Sequence, residues 1–318
     1  MIPLENPSTP RRGLVIAAFA AIYLIWGSTY LVIRYAIETI PPFLMFGSRA
    51  LLAGIILHAW SRRRGCPSPT RAQWRDAVYA GGLLLFAGSA WIAWCEHEIP
   101  SSIAALIVAA LPMWMILFNW KAAPPTPLTM TGLALGFAGV SILILDGRGY
   151  DNQPLSIPHV ALCVAATLCW AFGSIFSRRA DKPASPFMAV AIQMIAGGGI
   201  SIIAGLLMGE AANFDISMIS LRSLLAWGYL LVFGSLIAYT AYVWLLDVST
   251  PARVSTYAFV NPLIAVMLGC TVGAEPFSIR LLSASMLIVI AVAAIIGTRG
   301  EPKSVSLPLA PSPVTEEG

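Results

Sequence analysis

The residues able to do chemistry in this sequence are few, and the most telling of them lies in apolar company. Arg49 is the seventh residue of a run from Phe43 to Trp60 that holds no acid to neutralise it. A guanidinium that deep in an apolar phase costs several kcal/mol unless it faces protein or water. It therefore either borders a polar pathway and attracts an anionic group such as a carboxylate, or snorkels outward and ties its helix to a neighbouring carbonyl. Glu96 and His97, followed by Glu98, close the run Gln73 to Cys95. A carboxylate beside an imidazole can take up and release protons, so Glu96 and His97 are the candidates for proton coupling. Charges on a wet helix terminus are the plainer alternative, because consecutive helical residues point about 100° apart and need not touch.

Aromatic and amide side chains supply a second set of candidates. Trp26 and Trp170 fall deeper in their runs than a headgroup belt would place them. Trp91 with Trp94, and Tyr239 with Tyr242, are each three residues apart and share a helix face. Around a cavity these rings would offer π-faces and a few oriented hydroxyls to a solute; an outer aromatic girdle is the competing use of Trp91 and Trp94. Gln193 invites an interhelical hydrogen bond worth about 1 kcal/mol. Pro112 and Pro262 would each free a carbonyl four residues back and kink a helix, with Tyr257 and Asn261 adding polar groups beside the second kink. Enzymatic signals are missing: His58, His97 and His159 are far apart, and no HExxH, G-x-S-x-G or P-loop occurs. The cysteines have neither CxxC nor zinc spacing, so no metal, cofactor or disulfide framework is expected.

The elements that must position these groups follow from composition. Of 318 residues, 58% are hydrophobic and 11% charged, with a mean hydropathy of +0.79. Soluble domains carry about 25% charged residues, so this is a chain for the lipid bilayer. Ten apolar runs, each near the roughly 20 residues that span a bilayer, begin at about Gly13, Phe43, Gln73, Ser101, Leu128, Ile157, Phe187, Leu221, Ala252 and Ile279. The first is too long for a signal-peptide core and reads as a retained helix. Residues 1–12 and 298–318 read as cytoplasmic tails, whose Pro-rich stretches Met1 to Pro10 and Arg299 to Gly318 read as disordered. With the N-terminus inside, 14 Lys and Arg lie on the cytoplasmic side against 4 outside, which places both termini in the cytoplasm. No basic domain exists to hold nucleic acid.

The sequence also resembles itself. A shift of 144 lays Leu24, Trp26, Arg34, Ala36 and Pro42 on Leu168, Trp170, Arg178, Ala180 and Pro186, and Arg49 on Gln193. Further along, Gly88-Ser89 meets Gly234-Ser235 and Leu111-Pro112 meets Asn261-Pro262. The chain is thus read as an all-α membrane protein of ten transmembrane helices in two five-helix repeats, residues 13–145 and 157–297. Five helices per repeat is an odd number, so the second repeat enters the membrane from the opposite side, the architecture of alternating-access carriers. A channel-like facilitator is the alternative, disfavoured because no filter loop or ring of like charges occurs.

Trp26-Gly27-Ser28, the approach from Pro41-Pro42 to Arg49, the stretch from Glu96 through Pro112, and Ala274-Glu275-Pro276 resemble the drug/metabolite transporter superfamily. Within it the chain is similar to ten-helix EamA-type exporters of the inner membrane, over roughly Leu14 to Gly297. That resemblance implies secondary active export of small organic metabolites, amino acids or drug-like compounds, by a monomer or homodimer that needs no cofactor. It departs from the pattern at Ala274-Glu275, where many members have Gly-Glu.

Overall fold

A computed structural model describes residues 12–96, 98, 104, 107–121, 124–144, 156–212, 214–272 and 279–297. His97, Ala274-Glu275-Pro276 and residues 1–11 and 298–318 lie outside the described residues, which are mostly helical with no strand among them.

The first repeat supplies α1 (Arg12–Ala36), α2 (Pro42–Arg63), α3 (Arg71–Cys95), α4 (Ile107–Asn119) and α5 (Pro127–Ile144). The second supplies α6 (Ile157–Arg179), α7 (Pro186–Leu207), α8 (Leu221–Val248), α9 (Tyr257–Val272) and α10 (Ile279–Gly297). Among the described residues α1, α2, α3, α6, α7 and α8 are long and apolar enough to cross a membrane. Local chemistry starts several of them. Pro42 and Pro186 stand in the first turns of α2 and α7, where proline's missing N–H costs nothing. Thr70 and Gln73 exchange backbone and side-chain hydrogen bonds of 3.2 and 3.1 Å to cap α3.

Three polar contacts orient the repeats. The Asp76 carboxylate accepts from the Asp181 backbone N–H at 2.9 Å, which puts the start of α3 and the α6–α7 turn at one end of the bundle, here the basic end. Glu210, just past α7, accepts from the first N–H groups of α2, Phe43 and Leu44, at 3.1 and 2.9 Å. Ser223, near the start of α8, donates to the Tyr35 carbonyl at the close of α1 at 2.8 Å. Hence α2 runs toward the basic end while its repeat mate α7 runs away from it, and the repeats are inverted.

The α2–α7 crossing is the most extensive helix contact among the described residues and depends on glycine. A Cβ at Gly198 would stand 2.5 Å from the Leu51 nitrogen, a distance that real side chains do not tolerate. Small residues let membrane helices approach this closely and gain van der Waals packing where water supplies no hydrophobic drive. Helices α5 and α10 pack on each other beside the bundle.

The run of α4 is interrupted by a turn at Ala110, and Pro112 occupies the first turn of the segment that follows, where its missing N–H costs nothing. Pro262 does lie inside α9, yet that helix begins only at Tyr257, after the separate turn Pro251–Val254. Short hydroxyl side chains explain the break: Ser255 and Thr256 hydroxyls donate to carbonyls three residues back at 3.0 and 2.6 Å, competing with the helical ladder.

Candidate functional site

Two irregular stretches at matched positions build the centre. Gly82–Ala90 in α3 and Leu230–Tyr239 in α8 adopt the wider π-helical winding, and each contains the Gly-Ser pair that the internal repeat aligns. A π turn leaves backbone groups without the ordinary ladder and recurs at functional sites. Here the Gly234 carbonyl accepts from the Trp26 indole at 3.4 Å, and Ser89, Gly234 and Ser235 all face one cavity.

That cavity is walled by α1 to α4 of the first repeat and α6 to α9 of the second, with nothing from α5 or α10 among the described residues. The centre of a water molecule can reach about 110 Å³ of it. That is room for several waters or one small solute. Its wall reaches Ile33, Ile92 and Glu96 at the end away from the basic cluster. Toward the basic end it stops at a hydrogen-bonded plug. There the Tyr239 hydroxyl donates to Gln193 Oε1 at 3.0 Å, and Gln193 Nε2 donates to Ser177 Oγ at 3.1 Å. Beside the plug the Trp170 indole donates to the Tyr242 hydroxyl at 2.9 Å. Farther out, Lys182 pairs with Asp247.

Two ionisable side chains enter the cavity from the first repeat. Arg49 is 8% exposed; its Nη1 donates to Ser235 Oγ at 2.7 Å, and its guanidinium lies 4.2 Å from the centre of the Phe46 ring. Its Nε has no hydrogen-bond partner. Glu96 is partly exposed as a residue, yet both of its carboxylate oxygens are shut from solvent without a hydrogen bond. No ion pair joins the two among the described residues. Buried polar atoms are nearly always satisfied, so partnerless groups on one cavity wall call for a ligand or water.

Of the residues singled out from sequence, Trp26, Arg49, Glu96, Trp170, Tyr239, Tyr257 and Asn261 meet at this cavity. The Trp26 ring stands 5.7 Å from Trp170 and 4.9 Å from Tyr257. Asn261 is oriented with its nitrogen toward the Tyr257 and Tyr23 carbonyls, 3.0 and 3.3 Å away, and so ties α9 to α1. Gln193 lies beneath the floor and Tyr242 behind the wall. Trp91 and Trp94 do share a face, but it turns away from the cavity. Trp91 packs edge-on against Phe43 at 5.1 Å, and Trp94 stacks on His159 at 4.8 Å. The ring contacts with α2 and α6 hold them there. Sequence reasoning passed over Thr29, Tyr30 and Phe46, and it used the Gly-Ser pairs only as alignment marks although both serines line the wall.

Inverted helical repeats enclosing at their junction a largely apolar cavity with a few polar groups make the class a helical membrane transporter. The model of the EamA-like transporter family matches residues 12–145 and again 158–297, and the chain belongs to that family. It is 38% identical to the inner membrane transporter YedA of Escherichia coli strain K12 over 83% of this chain and 84% of that one. Transporter YvbV of Bacillus subtilis is 25% identical over 87% and 89%, and protein PecM of Dickeya dadantii 26% over 77% and 80%. A solved crystal structure, matched over 89% of this chain and 96% of its own, has the same fold with a TM-score of 0.70 at 21% identity.

Proposed function

We propose that this protein is a secondary active transporter that exports small organic metabolites by alternating access. The observation that carries the reading is the single cavity built from both repeats, extended toward one end and plugged at the other by Tyr239, Gln193 and Ser177. A carrier needs a site that both halves enclose and that opens to one side at a time; a channel needs a continuous path, which the plug interrupts. The charge asymmetry of the loops supports a plugged end facing the cytoplasm, and YedA's name supports an inner-membrane location. Energy comes from an ion gradient. Glu96 is the group proposed to take up the proton, since its carboxylate oxygens are held without partners where the cavity meets the mouth.

Counterflow tests the reading. Metabolite profiling of the medium from overexpressing cells selects solutes, and proteoliposomes are loaded with an excess of one of them, unlabelled. A trace of labelled solute outside should then accumulate transiently above its equilibrium level. A monotonic approach to equilibrium would assign the protein to the channels, and absence of protein-dependent flux for every selected solute would refute transport.

A further inference from the structure

We propose that Cys95 and Cys163 form a disulfide that ties the two repeats together along the α3–α6 seam, beside the mouth of the cavity. The bond goes beyond the carrier reading: it needs only this fold and an oxidising compartment at that end of the bundle.

Placement carries the first step. Cys95 ends α3 and Cys163 lies in the second turn of α6, in different repeats and far apart in sequence, so no local motif announces the pair. Cys95 Sγ donates to the His159 carbonyl at 3.5 Å. His159 precedes Cys163 by four residues, the spacing at which a helix joins that carbonyl to the Cys163 N–H. Helical side chains lean toward the N-terminus, which brings the Cys163 thiol back over the same carbonyl and into hydrogen-bond contact with Cys95. Both thiols are free and wholly buried. Ala104, Ile92, Ile107 and Val160 enclose them, and Trp94 stacking on His159 holds the seam closed.

Compartment and chemistry carry the second. The seam lies at the end away from the basic cluster, which the loop charges place outside the cytoplasm, where disulfides form and persist. The oxidant is a disulfide-bearing donor acting during assembly, before the seam closes. The Cys95 thiolate attacks one donor sulfur and releases the other as a thiolate; the Cys163 thiolate then attacks the Cys95 sulfur of the mixed disulfide and releases the second donor thiolate. The two cysteine protons end on the donor, which gains the two electrons the pair loses. Once the helices pack, burial keeps reductants from the bond. The inverted repeat explains why such a tie need not arrest a carrier. The alignment of Gly88-Ser89 with Gly234-Ser235 makes Ala241 the mate of Cys95, and the shift of 144 makes Phe19 the mate of Cys163. Phe19 and Ala241 pack on one apolar cluster where α1 meets the end of α8. Exchange of conformation between the repeats would give α3 and α6 the packing that α8 and α1 have now, so the seam stays closed in both states and serves as a pivot.

The test uses the full-length protein with its other cysteines, Cys66, Cys169 and Cys270, replaced by serine. Membranes of expressing cells are quenched in acid, blocked with N-ethylmaleimide, reduced, and then tagged with a polyethylene-glycol maleimide. Most chains should gain two tags that appear only after reduction, and C95A and C163A should gain none. Absence of tags in the protein that keeps both cysteines would overturn the bond, and so would tags that persist in either alanine variant. Purified oxidised protein should unfold at a higher midpoint than the same protein after reduction, and its counterflow should be unchanged by reduction. Equal midpoints would overturn the tie, and counterflow that appears only on reduction would overturn the pivot. The tags read the bond whether or not the protein transports, so failure of counterflow in both forms would refute the carrier reading alone.

Discussion

Gln193 holds the plug through two hydrogen bonds, one accepted from Tyr239 and one donated to Ser177. Gln193→Ala removes both. Interhelical hydrogen bonds in membranes average about 0.6 kcal/mol each, so the closed plug loses about 1.2 kcal/mol. At 1.4 kcal/mol per tenfold, the fraction of molecules open at the basic end should rise about sevenfold. Tyr239→Phe removes one bond and should raise it about threefold. Because the two variants share a bond, the double variant should open no further than Gln193→Ala. The assay uses a reporter cysteine at Ala50, a buried cavity residue, in a protein otherwise free of cysteine. Its rate of reaction with an impermeant maleimide is measured from each side of oriented proteoliposomes. The ratio of the two rates removes any change in intrinsic reactivity. An unchanged ratio in Gln193→Ala, or effects of the single variants that add in the double, would show that these bonds do not hold the plug.

Other parts of the structure make separate predictions. Gly198→Ala should destabilise the protein by about 1 to 3 kcal/mol through overpacking at the α2–α7 crossing. Gly199→Ala, whose added Cβ meets nothing within 4 Å, should stabilise by up to about 1 kcal/mol from helix propensity; unfolding midpoints in denaturing detergent compare the two, and equal effects would contradict the close approach. Glu210→Ala strips the cap from α2 and should cost about 1 kcal/mol, with Glu210→Gln retaining part of it. An unaltered midpoint in Glu210→Ala would mean the cap adds nothing. If Glu96 carries the coupling proton, Glu96→Gln should abolish the dependence of counterflow-competent export on a pH gradient while leaving solute exchange, and a retained gradient response would remove Glu96 from the coupling.

Much of this arrangement could be read from the chain because the bilayer leaves few choices. Apolar runs bounded by Pro, Gly and Arg became helices within a few residues of their expected limits, α7 at Pro186–Leu207 being one example. The offset of 144 located the mates Trp26 and Trp170 that now meet at 5.7 Å. Arg49 could be flagged because a lone guanidinium in an apolar run is expensive wherever it points. What a side chain faces is another matter. Three-residue spacing told that Trp91 and Trp94 share a face but not that α2 and α6 would claim it. The π windings came from no residue preference that a helical pattern displays, since Gly-Ser pairs also serve ordinary packing. The capping of α2 by Glu210 joins residues 166 and 167 positions apart, a contact that only the inverted packing creates.

Distance measurements between paired spin labels test alternating access most directly. One pair spans the mouth, at Glu38 and Glu98; the other spans the plugged end, at Arg179 and Asp247. All four positions are exposed. The account predicts two populations in which the mouth pair is long when the plugged-end pair is short, and the reverse, with a bound solute changing their proportions. A single fixed distance for both pairs, or distances that lengthen and shorten together, would contradict it.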